Sequence, residues 1–128
     1  MKALSTEMLR RFPELQSKII EGDEELPYVM MNYLSDWLIT PGVASEPAVI
    51  KRVVAFVRWC ESQPPGKSAD DDLRTILAVG LIEHLIESPT ARTLVPHLLS
   101  REVFTSNADY FRHWVGQENY EQTLKQYD

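Results

Sequence analysis

The sequence predicts an all-α protein: a single-domain bundle of about five to seven helices, in antiparallel pairs of HEAT-like or orthogonal type, around a central buried helix over residues 70–87. Apolar residues recur at helical spacing in segment after segment. Residues 70–87 (DDDLRTILAVGLIEHLIE) are apolar around most of a helical wheel and leave only a narrow polar sector holding Glu83, His84 and Glu87. A helix of that girth needs neighbours on several sides. No segment shows period-2 alternation over strand length, and no Asn-Gly or Asp-Gly hairpin signal occurs. The central helix would be ~27 Å long, but its Asp, Arg and Glu residues make a membrane span too costly.

In chain order, Met8, Phe12, Leu15 and Ile19 mark a first helical pattern with Ser5 or Thr6 as its cap. Pro13 breaks it, so that a short helix ends near Phe12 and a second segment starts at the proline. Gly22 and the acidic run Asp23, Glu24, Glu25 form a loop, and Pro27 opens the next helix, over residues 28–39. Thr40-Pro41-Gly42 stops that helix. Pro47 starts a third, over residues 47–61, whose stripe runs from Val49 through Phe56 to Cys60. SQPPGK, residues 62–67, is a helix–helix connection.

Ser68, with Asp71 three residues on, resembles a capping box for the central helix. Ser88-Pro89 starts a fifth helix over residues 90–99, shortened or kinked by Pro96. Ser100 or Ser106 caps one further amphipathic helix that ends at Gly116. The polar residues 117–128 form either a loosely docked helix or a frayed tail of the single domain 1–128.

The totals exclude several classes of function. With 13 basic and 19 acidic residues the net charge is −6, so neither a nucleic-acid nor an anionic-membrane footprint is expected. The hydrophobic fraction of 44% and charged fraction of 25% are ordinary for a globular domain. One cysteine, Cys60, allows no internal disulfide and suits a reducing compartment. MKALSTEMLRRF has no apolar h-region and no small-residue cleavage site, so the expected compartment is the cytoplasm.

Candidate chemistry is sparse. His84 and Glu87, with Asp109 and His113, could contribute to a metal site, but their number and spacing fall short of a structural one. Glu83 either shares a wet strip with Glu87 or pairs with an arginine such as Arg52 or Arg58. Asp70, Asp71 and Asp72 diverge around a helix axis and read as helix-start acids, not a cation site. Cys60 reads as a small buried hydrophobe. Gly66-Lys67-Ser68 lacks the upstream glycine and strand of a phosphate loop, and no hydrolase or zinc-protease motif occurs. No catalytic residue, cofactor or metal is therefore expected.

The order RFPEL (residues 11–15), LPYVMMNYLSDWL (26–38), EPAVIKRVVAFVRW (46–59) and DDDLRTILAVGLIEHL (70–85) resembles a small, all-helical, largely uncharacterised bacterial family. Some of its members are encoded beside polymorphic toxins. The resemblance implies an immunity-type protein that neutralises a cognate toxin by occluding its surface. It carries no catalytic residues across. The residues themselves offer a partner-binding surface of acids and edge aromatics: Asp23, Glu24 and Glu25; Asp70, Asp71 and Asp72; and Tyr110, Glu118, Tyr120 and Glu121. A basic protein is the expected partner. The alternatives are a metal-dependent or enzymatic bundle using Glu83, His84, Glu87, Asp109 and His113, and a regulatory or scaffold domain.

Overall fold

The computed structural model describes residues 2–128, and among them every regular element is helical. Helix α1 (Lys2–Arg11) starts earlier than its expected cap. Ser5 lies inside it, and its hydroxyl donates to the Glu24 carbonyl at 2.5 Å instead of capping. The break at Phe12 is present, and Pro13 opens the 3-10 segment Pro13–Lys18. Gly22, at φ 95°, turns the chain into the short 3-10 segment Asp23–Glu25. Pro27 and Pro47 then occupy the first turns of α2 (Pro27–Ile39) and α3 (Pro47–Ser62), where a missing N–H has no intrahelical partner to lose.

The central helix begins at Leu73, three residues later than its acidic start suggested. Asp72, not Ser68, is the cap: its carboxylate accepts from the Thr75 N–H at 3.2 Å and the Thr75 hydroxyl at 2.7 Å. Asp71 does reach back to the Ser68 N–H at 2.8 Å, but this closes the preceding turn. From there the helix runs as α4 (Leu73–Leu77), a π-helical turn (Ala78–Ile82) and α5 (Glu83–Glu87), with right-handed helical geometry at both junctions. Of the apolar positions that define its girth, all but Val79 are buried. Helices α2 and α3 cover one side. Helices α8 (Ala108–Val115) and α9 (Gln117–Leu124) pack against α5.

Between these lie the 3-10 turn Arg92–Leu94 and the short α6 (Val95–Leu98), the broken form Pro96 requires. Ser100 caps α7 (Arg101–Ser106), accepting from the Val103 N–H at 3.1 Å. The single helix expected up to Gly116 is two, because Asn107, at φ −107° and ψ 23°, breaks it. Gly116, at φ 89°, ends α8.

Two aromatic clusters organise the core. Phe12 meets Trp37 at 5.8 Å and Phe56 at 5.7 Å, both edge-on. The Arg52 guanidinium lies 5.5 Å from both the Phe12 and Trp37 rings. It also makes two 2.8 Å bonds to Glu14, which hold that carboxyl below its ordinary range. At the other end Phe104 stacks on Phe111, Tyr120 and Tyr127 at 5.1, 4.9 and 5.5 Å. That cluster seats residues 117–127 on the body of the protein, and the Tyr127 hydroxyl donates to the Leu99 carbonyl at 2.9 Å.

Candidate functional site

The acidic segments that the sequence singles out separately meet only in three dimensions. Pro27 forces a helix start directly after the 3-10 turn Asp23–Glu25, which leaves Leu26 extended at the junction and 48% exposed. Opposite it, the connection into the central helix is held by its own carboxylates: Asp72 accepts from the Gly66 N–H at 3.0 Å, and Asp71 from Ser68. The Tyr28 hydroxyl then ties this connection to α2 by donating to the Ala69 carbonyl at 2.7 Å. Glu25, Leu26, Tyr28 and Val29 thus face Asp70 and Asp71 around a hollow of about 680 Å³.

The electrostatics follow from the geometry. Partial burial, then the charges of Asp70 and Asp72, raise the Tyr28 phenol above its ordinary range. Asp70 and Asp71 are exposed. Three carboxylates around an apolar floor can receive a cationic side chain whose stem packs on Leu26 and Tyr28.

Other residues of the expected surface lie elsewhere. Asp23 is half-buried and accepts from the Tyr33 hydroxyl at 2.6 Å. Glu24 is half-buried and accepts from the Gly22 N–H at 3.2 Å. Asp72 is consumed as the helix cap. Glu118 and Glu121 are exposed on α9, away from the hollow's lining, and Glu121 accepts from Gln117 at 2.8 Å. Tyr120 is not a surface residue: at 2% exposure its ring is stacked on Phe104, because α9 docks with that face inward. Tyr110 is half-buried on α8 and donates to Glu83.

That last bond corrects the expected role of Glu83. Neither arginine of α3 reaches it. Arg52 is held by Glu14, while Arg58 pairs with Glu61 and donates to the Leu98 carbonyl at 3.1 Å. The π turn and the packing of α8 bring a phenol to Glu83 instead, and burial, then this bond, raises the Tyr110 pKa. His84, Glu87, Asp109 and His113 are all exposed. Among the described residues no group of three or more His, Cys, Asp or Glu side chains is arranged to hold a metal ion.

Cys60 is fully buried, and burial pushes its thiol up to about 12. It should react with Ellman's reagent at pH 8 only after denaturation; rapid reaction of the folded protein would contradict this placement. Tyr127 is likewise pushed up to about 12, again by burial. Both groups hold their protons more tightly folded than unfolded, whose ordinary values are 9.0 for the thiol and 10.0 for the phenol. Their stabilising contribution is therefore complete below about pH 9 and is lost as the pH rises towards about 12. Melting temperatures recorded from pH 7 to 11 should fall on the alkaline side; a rise above about pH 9 would contradict this sign.

The acid runs were visible in the sequence, but their convergence was not. Leu26 carries one signal in the sequence, its place between an acidic run and a proline that forces it into an extended junction. A family model described as a domain of unknown function, DUF7674, matches residues 5–121. No curated protein and no solved structure matches the chain. No described helix is long and apolar enough to cross a membrane.

Proposed function

We propose, for a chain that belongs to the DUF7674 family, that it works by binding a basic protein partner, as an immunity-type inhibitor that occludes a cognate toxin in the cytoplasm. The observation that carries the reading is the hollow in which Glu25, Asp70 and Asp71 surround the exposed Leu26 and the ring of Tyr28. Its composition suits a docking centre: an apolar anchor point within a ring of like charge. A net charge of −6 adds long-range attraction for a positively charged surface. The resemblance to a family with members beside toxin genes supplies the toxin.

In this mechanism acidic charge speeds encounter, and the Leu26–Tyr28 floor sets residence time. The double variant Asp70→Lys, Asp71→Lys should slow association about tenfold at low salt and flatten its salt dependence. Leu26→Asp should act mainly on dissociation. Leu26, Asp70 and Asp71 are all exposed, but Asp71 also closes the turn onto Ser68, so the single variant Asp70→Lys should show the same direction of change with the fold intact by circular dichroism. The direct test is co-expression with each toxin-like domain found in the neighbourhood of the gene. Rescue of growth with co-purification is expected; neither rescue nor co-purification would overturn the reading.

A further inference from the structure

Beyond the acidic hollow, the geometry points to a second binding site, a groove at the π turn that takes a small amphipathic monocarboxylate: an apolar body carrying one carboxylate. The groove encloses about 550 Å³, within the ~300–1,000 Å³ usual for small-ligand sites. Leu77, Val79 and Ile82 of the central helix line one side, and Leu99, Val103 and Phe111 the other. Val79 and Val103 are 39% and 46% exposed, although both belong to a lining that is otherwise largely apolar. The π turn puts Val79 there: Gly80 and Leu81 are turned into the core, while Val79 remains on the groove side. Interruptions of this kind recur at functional sites.

Charge decides the ligand class. Arg74 stands on the groove lining, with its Nη2 donating to the Glu61 carbonyl at the end of α3 at 3.0 Å. That bond holds the guanidinium in place while leaving its other N–H groups for an acceptor. Arg74 makes no salt bridge among the described residues. The carboxylate that feels its charge, Asp72, already accepts from Gly66 and Thr75. Glu61, the one acid on the lining, pairs with Arg58. A cation without a salt-bridge partner beside an apolar trough selects an anionic head with an apolar tail, and a guanidinium suits a carboxylate in particular.

The test is calorimetric titration of the full chain with decanoate below its micelle concentration, beside decan-1-ol and decylammonium, with amide NMR shifts locating the site. Decanoate should bind, with shifts centred on Val79 and Val103, and the two other probes should bind at least about tenfold more weakly. Arg74→Gln should weaken decanoate about tenfold and leave decanol unchanged. Val79→Trp, at an exposed position, should block the groove while circular dichroism stays native. Absence of decanoate binding, equal binding of decanol, or indifference to Arg74→Gln would each overturn the assignment. So would a concentration-dependent dimer that Val79→Trp disrupts, since it would give the groove to a second copy.

Discussion

Replacing Phe104 with alanine is expected to destabilise the protein by ~3–5 kcal/mol and to release its C-terminal helix. Phe104 is fully buried and is the shared partner of three rings: Phe111 of α8, Tyr120 of α9 and Tyr127 beyond it. Each offset stack adds ~0.5–1.5 kcal/mol beyond the area it buries. Deleting the ring opens a cavity that the remaining aromatics cannot fill, since Tyr127 is tethered by its hydroxyl to Leu99 and Tyr120 is covered by Arg112 at 4.8 Å. Urea denaturation should show the loss, and amides of residues 117–127 should lose protection from hydrogen exchange first. Phe104→Leu, which keeps most of the volume, should cost about 1–2 kcal/mol. If these amides exchange freely in the unaltered protein, the stack does not seat the tail.

The second large effect concerns Gly80 and has a sign that propensity alone would get wrong. In an ordinary exposed helix, glycine to alanine gains ~1 kcal/mol. Here a Cβ on Gly80 would lie 2.8 Å from the Cβ and 3.1 Å from the Cγ of Met31 on α2. The obstacle is the root of the methionine side chain, which moves only if α2 moves. Overpacking of that kind costs ~1–3 kcal/mol. Gly80→Ala should therefore fail to stabilise, with a net cost between about 0 and 2 kcal/mol once the propensity gain is subtracted, and Gly80→Leu should cost ~3 kcal/mol or more. In a double-mutant cycle Gly80→Ala should couple favourably with Met31→Gly, which removes the Cβ in its way, and less with Met31→Ala, which keeps it. A stabilised Gly80→Ala would show that α2 and the π turn are not in close contact.

How legible the protein was depends on whether a feature is decided nearby in the chain. Pro27 and Pro47 announce their helices because a proline constrains its own φ and its own first turn. The broken segment at Pro96 and the stop at Gly116 follow for similarly local reasons. The cap of the central helix lies at Asp72, beyond the expected Ser68, because Ser68, Asp71 and Asp72 all offer oxygens, and the loop that Gly66 closes onto Asp72 selects one of them.

The site was legible only in pieces. Asp70, Asp71 and Glu25 could be picked out as acids, yet which acids share a face depends on how α2 approaches the central helix. Glu24, adjacent to Glu25, is half-buried on the α1 side, where Ser5 takes its carbonyl. Tyr120 looked like an edge aromatic in a polar tail and is core, since nothing within residues 117–128 reveals the partner Phe104. Of the two readings of Glu83, the arginine pair does not form for the same reason: charge suggests a partner, while packing supplies Tyr110.

By itself, then, the sequence determined an all-helical chain, the helix starts at Pro27 and Pro47 but not the one expected at Pro89, where the chain makes a turn before Arg92, and a central helix too apolar to stand at a surface, because periodicity, capping and φ restriction act over one or two turns. Only the tertiary structure decided the π turn at Gly80, the burial of Tyr120, the groove beside Arg74 and the joining of two acidic segments around Leu26. Those depend on where one helix crosses another, a matter of close packing between residues far apart in the chain.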